Sequence, residues 1–174
     1  MNKRFVFAIL IAFLVISCSN NDSSDSDIVD YIDVYYSIEP LEEFLKLADI
    51  DFRYFEDKGT VRTINLQSIG AKSVRGSQTI THLPALIGYR LAIISKPVTE
   101  DLALDNVNCT ATMKPTIVYK NGSCEELAPI VSNIVAKKID GKWQIITPSE
   151  NKTTDVLIRI DEFGNKEFIH DYVW

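Results

Sequence analysis

From Asp49 onward, apolar and polar side chains alternate. Ile50, Phe52 and Tyr54 point one way and Asp51, Arg53 and Phe55 the other, the period of a half-buried β-strand. Asp57-Lys58-Gly59 follows as a turn, and Thr60 to Leu66 returns with Val61, Ile64 and Leu66 among polar residues, so the stretch predicts a hairpin. A second hairpin is predicted for Ile134 to Ile139 and Lys142 to Thr147 around Asp140-Gly141. A third joins Asp155 to Asp161 with Lys166 to Trp174 through Gly164-Asn165. Thr110 to Lys120 alternates as well and runs into the turn Asn121-Gly122. The run Ile80 to Ser95 is apolar but broken by Pro84 and Gly88, which predicts two strands around a bend.

Other stretches carry a weaker pattern. Ile28 to Ile38 reads as a short strand or an ordered extension. Leu41 to Ala48 has Leu41, Phe44, Leu45 and Ala48 at helical spacing behind Pro40, which predicts a two-turn helix. Ile69 to Thr79 is rich in Gly and Ser and reads as a loop, Val98 to Asn108 as an acidic loop, and Glu125 to Asn133 as a helical turn or a crossover. Strands at this spacing, with glycine-bearing turns and one short N-terminal helix, predict a mainly β chain folded as an antiparallel β-sandwich.

The N-terminus follows a different pattern. Lys3-Arg4 precedes an unbroken apolar run of twelve residues, Phe5 to Ile16, and none of the first seventeen residues is acidic. The run is shorter than the roughly 20 residues a membrane-spanning helix needs, and it has the order of a secretory signal. Val15-Ile16-Ser17-Cys18 resembles the lipobox of bacterial lipoproteins, in which the cysteine is acylated and becomes the mature N-terminus. The resemblance implies a signal peptide over 1–17, lipidation (palmitate among the acyl chains) at Cys18, and attachment to the outer membrane of the cell envelope, on its periplasmic or its outward face. The alternative is an ordinary secreted chain cleaved near Ser17. Ser19 to Asp27 has three acids and no apolar residue, so it cannot repay its ordering entropy and reads as a tether with a reach of roughly 15–18 Å. Residues 28–174 then form a single domain.

Charge narrows the partners. Without Lys3 and Arg4, sixteen basic residues face twenty-four acids, a net of −8 where the whole chain has −6. That balance argues against nucleic acid and against electrostatic attachment to anionic lipid, both of which call for a basic surface. With Cys18 assigned to lipid, Cys109 and Cys124 remain, and an even remainder in an exported chain predicts a Cys109–Cys124 disulfide; two buried thiols are the alternative.

The order Leu45-Lys46-Leu47-Ala48, then Tyr54 to Gly59, then Leu83-Pro84-Ala85 with Gly88-Tyr89 resembles small immunoglobulin-like lipoproteins. It implies an immunoglobulin-like sandwich and lends no functional residues.

Candidate chemistry is sparse. His82 and His170 stand far apart, and Ser77 near His82 lacks a third member to orient the ring, so both histidines read as structural and no catalytic residue is assigned. Two isolated histidines and two separated cysteines do not make a zinc site. Asp101 with Asp105 and Asp161 with Glu162 are acids in turns, but neither matches a calcium loop, so no metal or other cofactor is expected. Tyr31, Tyr35, Tyr36 and Tyr54 can pack a core, stack on sugars or anchor a protein. The expected function is a lipid-anchored, non-catalytic binding or scaffolding module for a glycan or an envelope protein. The alternatives are a small carboxylate-dependent hydrolase and an inhibitor or immunity-type protein.

Overall fold

The computed structural model describes residues 27–39, 42–69, 73–97, 102–146, 153–170 and 172–174. The expected signal peptide, Cys18 and all of the tether but Asp27 lie outside them.

The chain forms β1 (Val29–Glu39), a short helix α1 (Glu42–Leu47), β2 (Ala48–Phe55), β3 (Val61–Asn65), β4 (Val74–Ile80), β5 (Ala85–Ser95), β6 (Asn106–Tyr119), β7 (Cys124–Glu126), β8 (Ile130–Ile139), β9 (Lys142–Ile146), β10 (Thr153–Ile160) and β11 (Lys166–Phe168). They build two antiparallel sheets. One runs β4-β1-β6-β8-β9, with β7 also on β6; the other runs β11-β10-β5-β2-β3. Inward residues of both sheets form one core, among them Ile32, Val34, Tyr36 and Ile38 from β1 and Ile87, Tyr89, Leu91 and Ile93 from β5.

Two buried tyrosines tie the sheets in opposite senses. Tyr36 of β1 donates to the Gly88 carbonyl of β5 at 3.3 Å, and Tyr89 of β5 donates back to Ser132 Oγ of β8 at 2.8 Å. Each phenol satisfies its polar tip inside an apolar layer, the condition for burying tyrosine without a desolvation penalty. Burial, outweighing the bond to Ser132, raises the Tyr89 pKa.

Several expectations change at the level of elements. Ala48, expected in the helix, is the first residue of β2. The predicted Gly/Ser loop contains all but the last residue, Ile80, of β4, an edge strand whose inward positions Val74, Gly76, Gln78 and Ile80 pair with inward residues of β1. Its composition hid it because an edge strand needs little apolar surface. The bend in Ile80 to Ser95 falls at 81–84, and β5 then runs unbroken through Gly88. Gly88 is required there: a Cβ would stand 2.2 Å from the Val156 carbonyl oxygen of β10. Pro115 sits within β6 without breaking it. Its carbonyl accepts from Leu127 N at 3.0 Å on the side where β8 ends and β7 begins, so the missing N–H falls in a gap of the ladder.

The predicted Cys109–Cys124 disulfide is overturned. Cys109 lies opposite Ile134 on β8, whereas Cys124 of β7 lies opposite Val118, nine positions farther along β6. At the rise of a strand that is roughly 30 Å, and a disulfide needs Cα atoms within about 7 Å. Cys109 faces the core and Cys124 is exposed. Burial pushes the Cys109 thiol up to about 12, so it is held as an inert apolar group.

Candidate binding cleft

The two sheets part along one side, where edge strand β4 meets edge strand β3. There a cleft of about 190 Å³ is lined by Tyr36, Phe52, Tyr54, Ile64, Val74 and the β4 run Arg75 to Gln78. Strand periodicity explains its walls. Phe52 and Tyr54 are alternate inward residues of β2, Ile64 pairs with Phe52 on β3, and Tyr36 comes from β1 opposite Gly76. Gly76 makes the space: it is an inward position with no side chain, and a Cβ added to it would meet nothing within 4 Å.

The aromatic rings form a connected array. Phe52 and Tyr54 stack at 5.2 Å with 27° between planes, while Tyr36 meets Tyr54 at 5.6 Å and Phe52 edge-on at 5.8 Å. Such contacts contribute about 0.5–1.5 kcal/mol each beyond the area they bury, so the array is a rigid wall. Gln78 occupies an inward position of β4 and is satisfied across the sandwich by the Phe55 carbonyl. Burial holds the Tyr36 phenol protonated well above its ordinary range, against the opposing bonds to the Gly88 carbonyl and Gln78. At the rim, Arg75 pairs with Glu39 at 2.6 Å, and Arg62, the register partner of Tyr54 on β3, pairs with Glu56 at 3.1 Å. The lining carries no carboxylate, so the two flanking acids that glycoside hydrolysis uses are not on these walls.

The other candidate residues lie elsewhere. His82 is held by Asp57, whose Oδ2 is 2.9 Å from Nδ1. The Thr81 hydroxyl approaches that same ring nitrogen at 3.4 Å, so the pair does not activate it as a nucleophile. Asp57 instead accepts from the backbone N–H groups of Thr81 and His82 at 2.9 and 3.1 Å, tying the β2–β3 turn to the β4–β5 turn. Desolvation works to raise its pKa, but the Thr81 and His82 donors together outweigh this and hold it down to about 2. His170 is exposed. Asp161 spends its oxygens on its own turn, accepting from Phe163 N, Asn165 N and Asn165 Nδ2 at 2.8–2.9 Å, and the Asn165 amide is the main cause of its lowered pKa. Asp101 lies outside the described residues, and among those described no three His, Cys, Asp or Glu side chains gather as metal ligands.

Of the four early tyrosines, the fold brings Tyr36 and Tyr54 together and turns Tyr31 and Tyr35 to the opposite face of β1. Gly76 and Gln78 are the cleft residues that the sequence pattern missed. The signal was present as a period-2 run from Val74 to Ile80 with Gly76 and Gln78 in place of apolar residues. Comparison with protein-family models, curated proteins and solved structures finds no match to this chain.

Proposed function

We propose that this chain is a lipid-anchored protein of the cell envelope and a non-catalytic binding module whose aromatic cleft takes one sugar ring of a glycan. The observation that carries the reading is the Tyr36–Phe52–Tyr54 wall facing the gap at Gly76. A pyranose offers an apolar face to aromatic rings and hydroxyls to a polar rim, and here Arg75 and Ser77 line the cleft, with Arg62 standing in register with Tyr54. At about 190 Å³ the cleft is smaller than the roughly 300–1,000 Å³ of sites that enclose a drug-sized ligand, which suits a single ring of a longer chain. The lipobox-like Val15 to Cys18 supports the anchor, with several acyl chains needed for stable attachment.

An immunoglobulin-like variant of the sandwich is part of the proposal. The strand order β6-β1-β4 and β10-β5-β2-β3 corresponds to A-B-E and G-F-C-C′ of that fold, with β6 and β10 filling the positions of A and G. Where such domains join strands B and F by a disulfide with a strand-C aromatic against it, this chain has Tyr36 and Tyr89 at 6.5 Å, with Phe52 beside both.

A glycan array followed by saturation-transfer NMR tests the cleft. The expected result is saturation transfer from the protein to the ring protons of a bound glycan, lost in Tyr54→Ala and in Gly76→Val, which fills the gap. Binding that survives both variants rules the cleft out. Metabolic labelling with palmitate tests the anchor: label should be incorporated by the intact chain and not by Cys18→Ala.

A further inference from the structure

On the outer face of the second sheet, Arg53 of β2 and Arg90 of β5 stand directly opposite one another in register. Like charges so placed repel, yet among the described residues no carboxylate lies within ion-pair distance of either guanidinium. Asp155, the register partner of Arg90 on β10, is exposed, and Asp51 accepts from Asn65 Nδ2 at 2.9 Å. Two residues beyond Arg53 on the same face, Phe55 is covered by the C-terminal tail: Trp174 lies 5.0 Å and Tyr172 5.6 Å from its ring.

Four buried side-chain atoms among the described residues lack a hydrogen-bond partner: Arg53 Nε, Arg90 Nε, Trp174 Nε1 and Asp49 Oδ1. The last, without hydrogen-bond alignment, is nonetheless answered by Lys96 Nζ at 2.7 Å. The three that remain are all N–H donors, and register and ring contacts bring their residues to one patch of the β2–β5 face. Enclosed donors without acceptors are costly, and such a group calls for a water or an ion as its acceptor. Two guanidiniums supply planar, paired donors and two positive charges, the arrangement that suits an oxyanion.

We propose that this patch is a site for a phosphate group, held between Arg53 and Arg90 with the Trp174 indole as a third donor. It is separate from the cleft, which opens between the sheets at β3 and β4. Trp174, whose indole N–H is one of the three donors, reports the event.

The test uses the full chain carrying Trp143→Phe, which leaves Trp174 as its sole tryptophan. Inorganic phosphate should change the Trp174 emission saturably, while sodium chloride at matched ionic strength does not. Arg53→Gln and Arg90→Gln should each weaken the response at least tenfold. Arg90→Lys, which keeps the charge but loses the fork, should weaken it as well and guards against a folding artefact. Asp171→Asn, at a position outside the described residues, should leave the response in place. A non-saturable response, an equal one with chloride, one retained in the double glutamine variant, or one seen only in Asp171→Asn overturns the site.

Discussion

Single residues decide several features of this protein that no pattern announces. Asp57 is the clearest: one half-buried carboxylate accepts two backbone N–H groups and reaches the His82 ring, so the β2–β3 turn and the β4–β5 crossing between the sheets share one anchor. Its pKa in the fold, about 2, lies below the unfolded value of 3.8. The stability it contributes is therefore fully present above about pH 4 and is lost as pH falls through about 2. Thermal melts between pH 5 and pH 2 should show a smaller acid-induced drop in Tm for Asp57→Asn than for the parent, and parallel curves would remove Asp57 from that role. Neither the pairing with Thr81 and His82 nor its effect was legible in sequence, because the partners are 24 and 25 residues away. The misreading of Cys109 has the same origin: cysteine parity is a chain-level count, and the register that separates it from Cys124 is a property of β6 and its neighbours.

At the scale of elements, turn chemistry made the hairpins legible. Asp57-Lys58-Gly59 and Asp140-Gly141 adopt the positive φ values such turns need, with Lys58 at 70° and Asp140 at 50°. The third hairpin shows where the rule stops. β11 ends at Phe168, and Tyr172 and Trp174, expected to extend it, cross instead to Phe55. Phe55 is fully buried although its period places it on the outward face of β2, and this small second cluster is what buries it. Phe55→Ala should therefore cost about 3–5 kcal/mol in chemical denaturation, the magnitude of a core aromatic deletion. Loss of less than 1 kcal/mol would mean that the tail packs without consequence. The alternation in β2 predicted a polar-side phenylalanine, and only the return of the tail explains it.

For the whole molecule, the two sheets are joined by apolar burial and by a pair of reciprocal tyrosine bonds. Tyr89→Phe leaves the Ser132 hydroxyl buried without its donor and should destabilise by about 1–3 kcal/mol. Tyr36→Phe removes a longer 3.3 Å bond and should cost about 1 kcal/mol or less. Because the two tyrosines touch at 6.5 Å, denaturant melts of the double variant should depart from additivity; strict additivity would show that they act as independent ties. From its sequence alone the chain determined its mainly β class, its hairpin turns, and the apolar and polar faces of most strands, because those follow from local periodicity and from residues that adopt positive φ. Only the tertiary structure decided the strand order, the separation of Cys109 from Cys124, the cleft beside Gly76 and the opposed Arg53 and Arg90. Each of these depends on which distant strands are neighbours and in what register, and a one-residue shift in pairing, which local sequence does not encode, would send every such side chain to the other face.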